Sequence, residues 1–179
     1  MKKPFVDLRD FSLRYFALVP LLLWIIWANL EYPQPWLYSF VDALNFSAKS
    51  FLEFSLSLAG VQFKSGPGFV SAPTYAGVQS IGLFVAGCSS YLAYFTLAAL
   101  IAVTRSLSWV QRVRCFLFAG AFLLIANNVR ITIIYALTLV SPFSFSQLVH
   151  DFFWLGLMGP LVLFAWLYFI KRELYPKGS

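Results

Sequence analysis

Residues 115–140 read CFLFAGAFLLIANNVRITIIYALTLV. The only charge in this run is Arg130. A helix rises about 1.5 Å per residue, so the run is long enough to cross a hydrocarbon core of about 30 Å. Three further stretches have the same character: 15–30, 89–104 and 152–170. The composition agrees. Of 179 residues, 60% are hydrophobic and only 11% are charged, with a mean hydropathy of +0.77. A soluble domain carries about a quarter charged residues. So small a charged fraction excludes a compact soluble fold, and so high a hydrophobicity excludes an unstructured chain. The expected class is an all-α integral membrane protein: a bundle of about four transmembrane helices forming one domain over 1–179.

A fifth stretch, 36–58, is helical in pattern but carries Asp42, Lys49 and Glu53. Spacings of seven and four bring these charges near one face. It reads as an amphipathic helix lying in the interface or packed against the bundle, with a further span as the alternative. Residues 60–87 contain Gly66-Pro67-Gly68 and Ala72-Pro73, which signal turns. Short alternating flanks at 61–64 and 78–81 predict a β-hairpin or extended loop on the outer face.

Basic residues set the orientation. Lys2, Lys3, Arg9 and Arg14 precede the first stretch, Arg105, Arg112 and Arg114 separate the second from the third, and Lys171, Arg172 and Lys177 follow the last. Four spans place all ten on the cytoplasmic side. Segment 1–14 and tail 171–179 are then cytoplasmic, around a helical core at 15–170. The basic residues form short clusters between apolar spans, which argues against nucleic-acid binding.

Three reactive side chains remain. Cys88 stands at the outer mouth of the second span, His150 at the outer mouth of the last, and Arg130 about 22 Å above Cys115. All three are expected near the outer surface. An arginine inside a span is costly unless it faces a wet cavity or a partner. Asn127, one turn earlier, can share its face. Taken singly, Cys88 reads as a small buried hydrophobe and His150 as a helix-end residue. Together they suit acyl transfer. A thiolate is a strong nucleophile, and nearby cations favour it. An imidazole can take the thiol proton and later protonate the leaving amine, while a guanidinium can hold an oxyanion. Asp151 could orient His150, although successive helical residues point about 100° apart, so direct pairing is not expected. A sulfur-to-nitrogen distance of roughly 3–6 Å from Cys88 to His150 or Arg130 is expected for an unliganded site. Cys115 lies at the inner end and reads as structural. One histidine and two cysteines on opposite faces do not make a metal site, and no cofactor is called for.

Gly87-Cys88-Ser89-Ser90, Asn127-Asn128-Val129-Arg130-Ile131 and Val149-His150-Asp151, in this order near the outer ends of successive spans, resemble the exosortase/archaeosortase family. The resemblance covers about 52–170, including the loop leading to the cysteine. It implies a membrane-embedded cysteine transpeptidase of a prokaryotic cytoplasmic membrane. Its partners would be exported proteins ending in a short motif, a transmembrane helix and a basic tail. By resemblance, Cys88 is the nucleophile, Arg130 the transition-state stabiliser and His150 the acid/base, with Asn127, Ser89, Ser90 and Asp151 in support. The family cysteine is commonly followed by Ser-Gly, and here by Ser89-Ser90. The chain is also shorter than many members. Two other classes compete: a membrane scaffold in which Arg130 and Asn127 bind helices together, and a small transporter with Arg130 on a polar path. Transporters often show repeats or paired broken helices, and neither is visible.

Overall fold

The computed structural model describes residues 35–74, 77, 79–84, 90–104, 107–152 and 157–174. Five helices and a small sheet occur among them: α1 (Pro35–Leu58), β1 (Lys64–Gly66), β2 (Phe69–Pro73), β3 (Gln79–Leu83), α2 (Tyr91–Val103), α3 (Trp109–Val140), α4 (Phe143–Asp151) and α5 (Met158–Leu174). The stretch 15–30 lies outside the described residues.

The longest helix, α3, forms from the stretch quoted first, extended at its start. Ser108 caps it, accepting from the Gln111 amide at 3.4 Å, and Gln111 Oε1 accepts from the Ser108 amide at 2.9 Å. This reciprocal pair satisfies two amide donors that a helix start would otherwise leave open. The helix ends before Ser141-Pro142, where the residue ahead of a proline avoids helical geometry. Among the described residues α3 is the one helix long and apolar enough to cross a membrane.

Contacts along α3 fix the direction of its neighbours. Ser90 meets Asn127, and Arg112 donates to Leu107 O at 3.2 Å and Thr104 O at 3.1 Å near the far end of α2, so α2 runs against α3. In α5, Phe164 packs on Phe122 and Phe169 on Phe118, while Glu173 reaches Arg114 at 3.4 Å. That helix also runs against α3. On α1, Ser47 meets Asn128, and Leu52 and Leu56 share a core with Tyr135 and Leu139, so α1 and α3 run the same way. One end of the bundle is basic, with Arg112, Arg114, Lys171 and Arg172. The other carries the sheet, and Ser90 begins α2 on that side.

Two cores hold this arrangement. Toward the basic end, Leu44, Leu97, Cys115, Ala119, Leu123, Val162, Ala165 and Ile170 pack between four helices. The alanines are fully buried and let the backbones approach, as in membrane helix packing. Toward the sheet end, Leu52 and Leu56 of α1 meet Val70 and Ala72 of β2 and Tyr135 and Leu139 of α3.

Several expectations need correction. Of the two placements expected for the helix at 36–58, the structure shows the one packed against the bundle. It stands beside α3, and its Lys49 and Glu53 pair with each other at 2.7 Å. Mutual neutralisation, with Ser65 of β1 donating to Glu53, lets a charged helix join the bundle. The stretch 89–104 yields a helix of only 13 residues, α5 takes up nearly all the described part of 152–170 and runs on to Leu174, and α4 forms a separate short helix before it. The expected hairpin is a three-stranded antiparallel sheet in the order β1-β2-β3. Gly66-Pro67-Gly68 turns β1 straight into β2, with Gly68 at φ 71°, a conformation that favours glycine. Phe69–Pro73 is the central strand, and Pro73 ends it, where a missing N–H is tolerated. Tyr135 anchors the sheet to α3. Its hydroxyl donates toward Ser80 O at 3.2 Å and Val70 O at 3.3 Å, and its ring lies so close to Gly82 that a Cβ there would meet it at 2.8 Å.

Candidate functional site

The site is built on α3. Positions 127, 128 and 130 turn three polar side chains into the bundle within one turn, and all are buried. The Asn127 side chain accepts from Ser90 Oγ at 2.7 Å, and Asn128 Nδ2 donates to Ser47 Oγ at 3.0 Å. Adjacent asparagines thus tie α3 to α2 on one side and α1 on the other. Such bonds contribute about 1 kcal/mol each, and in an apolar surround they fix register more than they add stability. Sequence reasoning gave Asn127 a role, quoted Asn128 without giving it one, and passed over Ser47. The pairing signal was present, because two consecutive amides in an apolar run must face two different neighbours.

Arg130 is 4% exposed. It lines a cavity of about 180 Å³ whose other walls are apolar: Ala126, Val129, Ile133, Leu157, Met158 and Leu161. A second cavity, of about 400 Å³, opens between α2 and α5 against Ser90, Ala93, Thr96, Gly159 and Val162. Met158, the first residue of α5, belongs to both walls. Nothing in the sequence marked it.

Ser90 has φ 53° and ψ 28° and is the only non-glycine residue with positive φ among those described. Left-handed backbone costs a residue with a Cβ about 1–2 kcal/mol. The buried bond to Asn127 holds the side chain in place and offsets part of that cost. Ser90→Gly and Ser90→Ala therefore separate the two effects. Both lose the bond to Asn127, but glycine relieves the strain while giving back about 0.5–1 kcal/mol through its freer unfolded chain. Thermal unfolding in detergent should find Ser90→Gly the more stable by about 0.5–1 kcal/mol. The reverse order would mean that the left-handed turn is not maintained.

His150 lies in the last turn of α4, with its side chain 41% exposed. Its Nδ1 is 3.1 Å from Asp151 Oδ1, and Gln147 Nε2 donates to the same oxygen at 3.0 Å. This corrects the expectation that adjacent helical residues would not pair. Their Cβ directions diverge, but at a helix end two half-exposed side chains can fold back toward each other. The tautomer with hydrogen on Nδ1 satisfies the contact and leaves the Nε2 lone pair as a base. Cys88 and Ser89 lie outside the described residues, as does the distance expected between the sulfur and its partners. Cys115 is buried in the first core, where it packs as a small hydrophobe. Among the described residues no cluster of three or more metal-ligating side chains occurs.

No family model, no curated protein and no solved structure matches this chain.

Proposed function

We propose that this chain is a membrane-embedded cysteine transpeptidase of the exosortase type. In this reading α2, α3 and α5 lie within the membrane with the basic end inside, α1 packs against α3, and the sheet and α4 lie at the outer face. The observation that carries the proposal is the buried bond from Ser90 to Asn127 at 2.7 Å. It ties the residue two positions after Cys88 to α3, one turn from Arg130. The resemblance gains physical support at the same position. The family's usual glycine two residues after the cysteine corresponds to Ser90, whose backbone is left-handed. The departure from the pattern thus falls where the fold asks for glycine and pays for serine with a side-chain bond.

Nε2 of His150 takes the proton of the Cys88 thiol, the thiolate attacks the scissile carbonyl carbon, and Arg130 stabilises the oxyanion that forms. The C–N bond breaks as His150 gives the departing amine a proton. An acceptor amine, or water, then attacks the thioester, gives its proton to His150 and releases the Cys88 thiolate. The apolar cavity between α2 and α5 begins at Ser90 and suits side chains of a substrate's transmembrane helix. Its lining argues against a transporter's polar path. The test is mass-spectrometric detection of an acyl adduct on Cys88, after co-expression with an exported protein bearing a C-terminal motif, helix and basic tail. Continued accumulation of cleaved substrate after Cys88 has been alkylated would sink the reading.

Orientation is checked separately. In a background lacking native cysteines, a membrane-impermeant thiol reagent applied to whole cells should label Ser144→Cys in α4 and spare Ser108→Cys at the start of α3. The opposite pattern would invert the bundle.

A further inference from the structure

Seven of the nine residues of α4 fall on three flanks. Ser146 is buried against the bundle, with His150 beside it on the same flank; Ser144, Gln147 and Asp151 face outward on the second. Phe145 and Leu148 form the third, 49% and 66% exposed, and the exposed Phe152 extends it. Two separate exposed flanks, one polar and one apolar, about 100° apart around the helix, make no sense for a helix wholly in water or wholly in lipid. They fit a helix lying along the boundary.

The long helix that precedes α4 carries an exposed apolar stripe as well. On α3, Ile125, Val129, Ile133 and Val140 are exposed along one stripe at helical spacing. The stripe ends at Val140, and α4 departs two residues later, after Pro142. We infer that α4 is an interfacial helix whose Phe145 and Leu148 are seated among the acyl chains of the outer leaflet, so that His150 is held at the lipid–water boundary. This rests on the membrane reading of α3. A base fixed at that height would meet a peptide bond emerging from the membrane, rather than one free in solution.

The test uses the full chain in phosphatidylcholine/phosphatidylglycerol vesicles, with Cys88→Ser and Cys115→Ser as background. A nitroxide is attached in turn to Phe145→Cys, Leu148→Cys, Ser144→Cys, Gln147→Cys and Ile125→Cys. Relaxation by oxygen reports lipid, and relaxation by a nickel chelate reports water. At 145 and 148 the oxygen-to-nickel ratio should be several times that at 144 and 147, and should match 125. If 125 reports lipid while 148 is as open to nickel as 147, α4 is not in the leaflet and the inference fails. If 148 is shielded from both agents and its signal is broadened by a second nitroxide, the flank is covered by another copy, and the inference fails again. If 125 itself reports water, the membrane reading falls first.

Discussion

Cys88→Ala will abolish cleavage of the partner protein while leaving the helical bundle folded. The replacement is small and apolar, so the cost to stability is about 1 kcal/mol or less. In the proposed mechanism the change removes the nucleophile, and with it the thioester through which the acyl group passes. His150→Ala should be nearly as severe, since groups that act on one step fail together rather than additively. A scaffold predicts otherwise. There the structural links are Ser90–Asn127 and Asn128–Ser47, which Cys88→Ala does not touch. The measurement is the ratio of full-length to cleaved partner in cells, read beside the amount of folded chain after solubilisation. Normal cleavage by Cys88→Ala would end the transpeptidase reading. Loss of cleavage together with loss of folded chain would assign the cysteine a structural role. Substrate should still co-purify with the alanine variant, because docking does not use the sulfur.

The helical part of this fold was legible because α3 states it in one run of apolar residues. Its start was misplaced by six residues for a definite reason. Arg112 and Arg114 look like loop charges, yet Arg112 folds back onto carbonyls beyond the end of α2, and Arg114 reaches Glu173. Charges that find partners do not end a helix. The same rule explains α1, where Lys49 and Glu53 answer each other. The central strand was hidden by its punctuation, since Gly66-Pro67-Gly68 and Pro73 are turn residues on both sides of a very short alternating run. Of the site, Arg130 and Asn127 were readable because polar groups in an apolar run require a reason. The left-handed Ser90 was not. A serine carries no sequence mark of positive φ, and only the bond to Asn127 shows why it is tolerated there.

Arg130→Lys is the variant that distinguishes catalysis from cohesion. It keeps a full positive charge at the same place in the wall of the cavity. A role limited to charge balance or helix cohesion would survive in large part. Lysine, however, is a point charge on a flexible stem and cannot present a planar fork of donors. If the guanidinium holds the oxyanion in fixed geometry, the rate of cleavage should fall about 100- to 1,000-fold, as when one oxyanion-hole donor is removed. The apolar surround sharpens the contrast, since Ala126, Val129, Ile133, Leu157, Met158 and Leu161 offer no polar side chain to replace it. Docking of the substrate helix should be unchanged, so the loss belongs in the rate of acyl formation on Cys88 and not in substrate affinity. Thermal unfolding of the same preparation guards against a trivial loss. A variant that unfolds like the parent and cleaves within about tenfold of it would show that Arg130 does not act on the transition state.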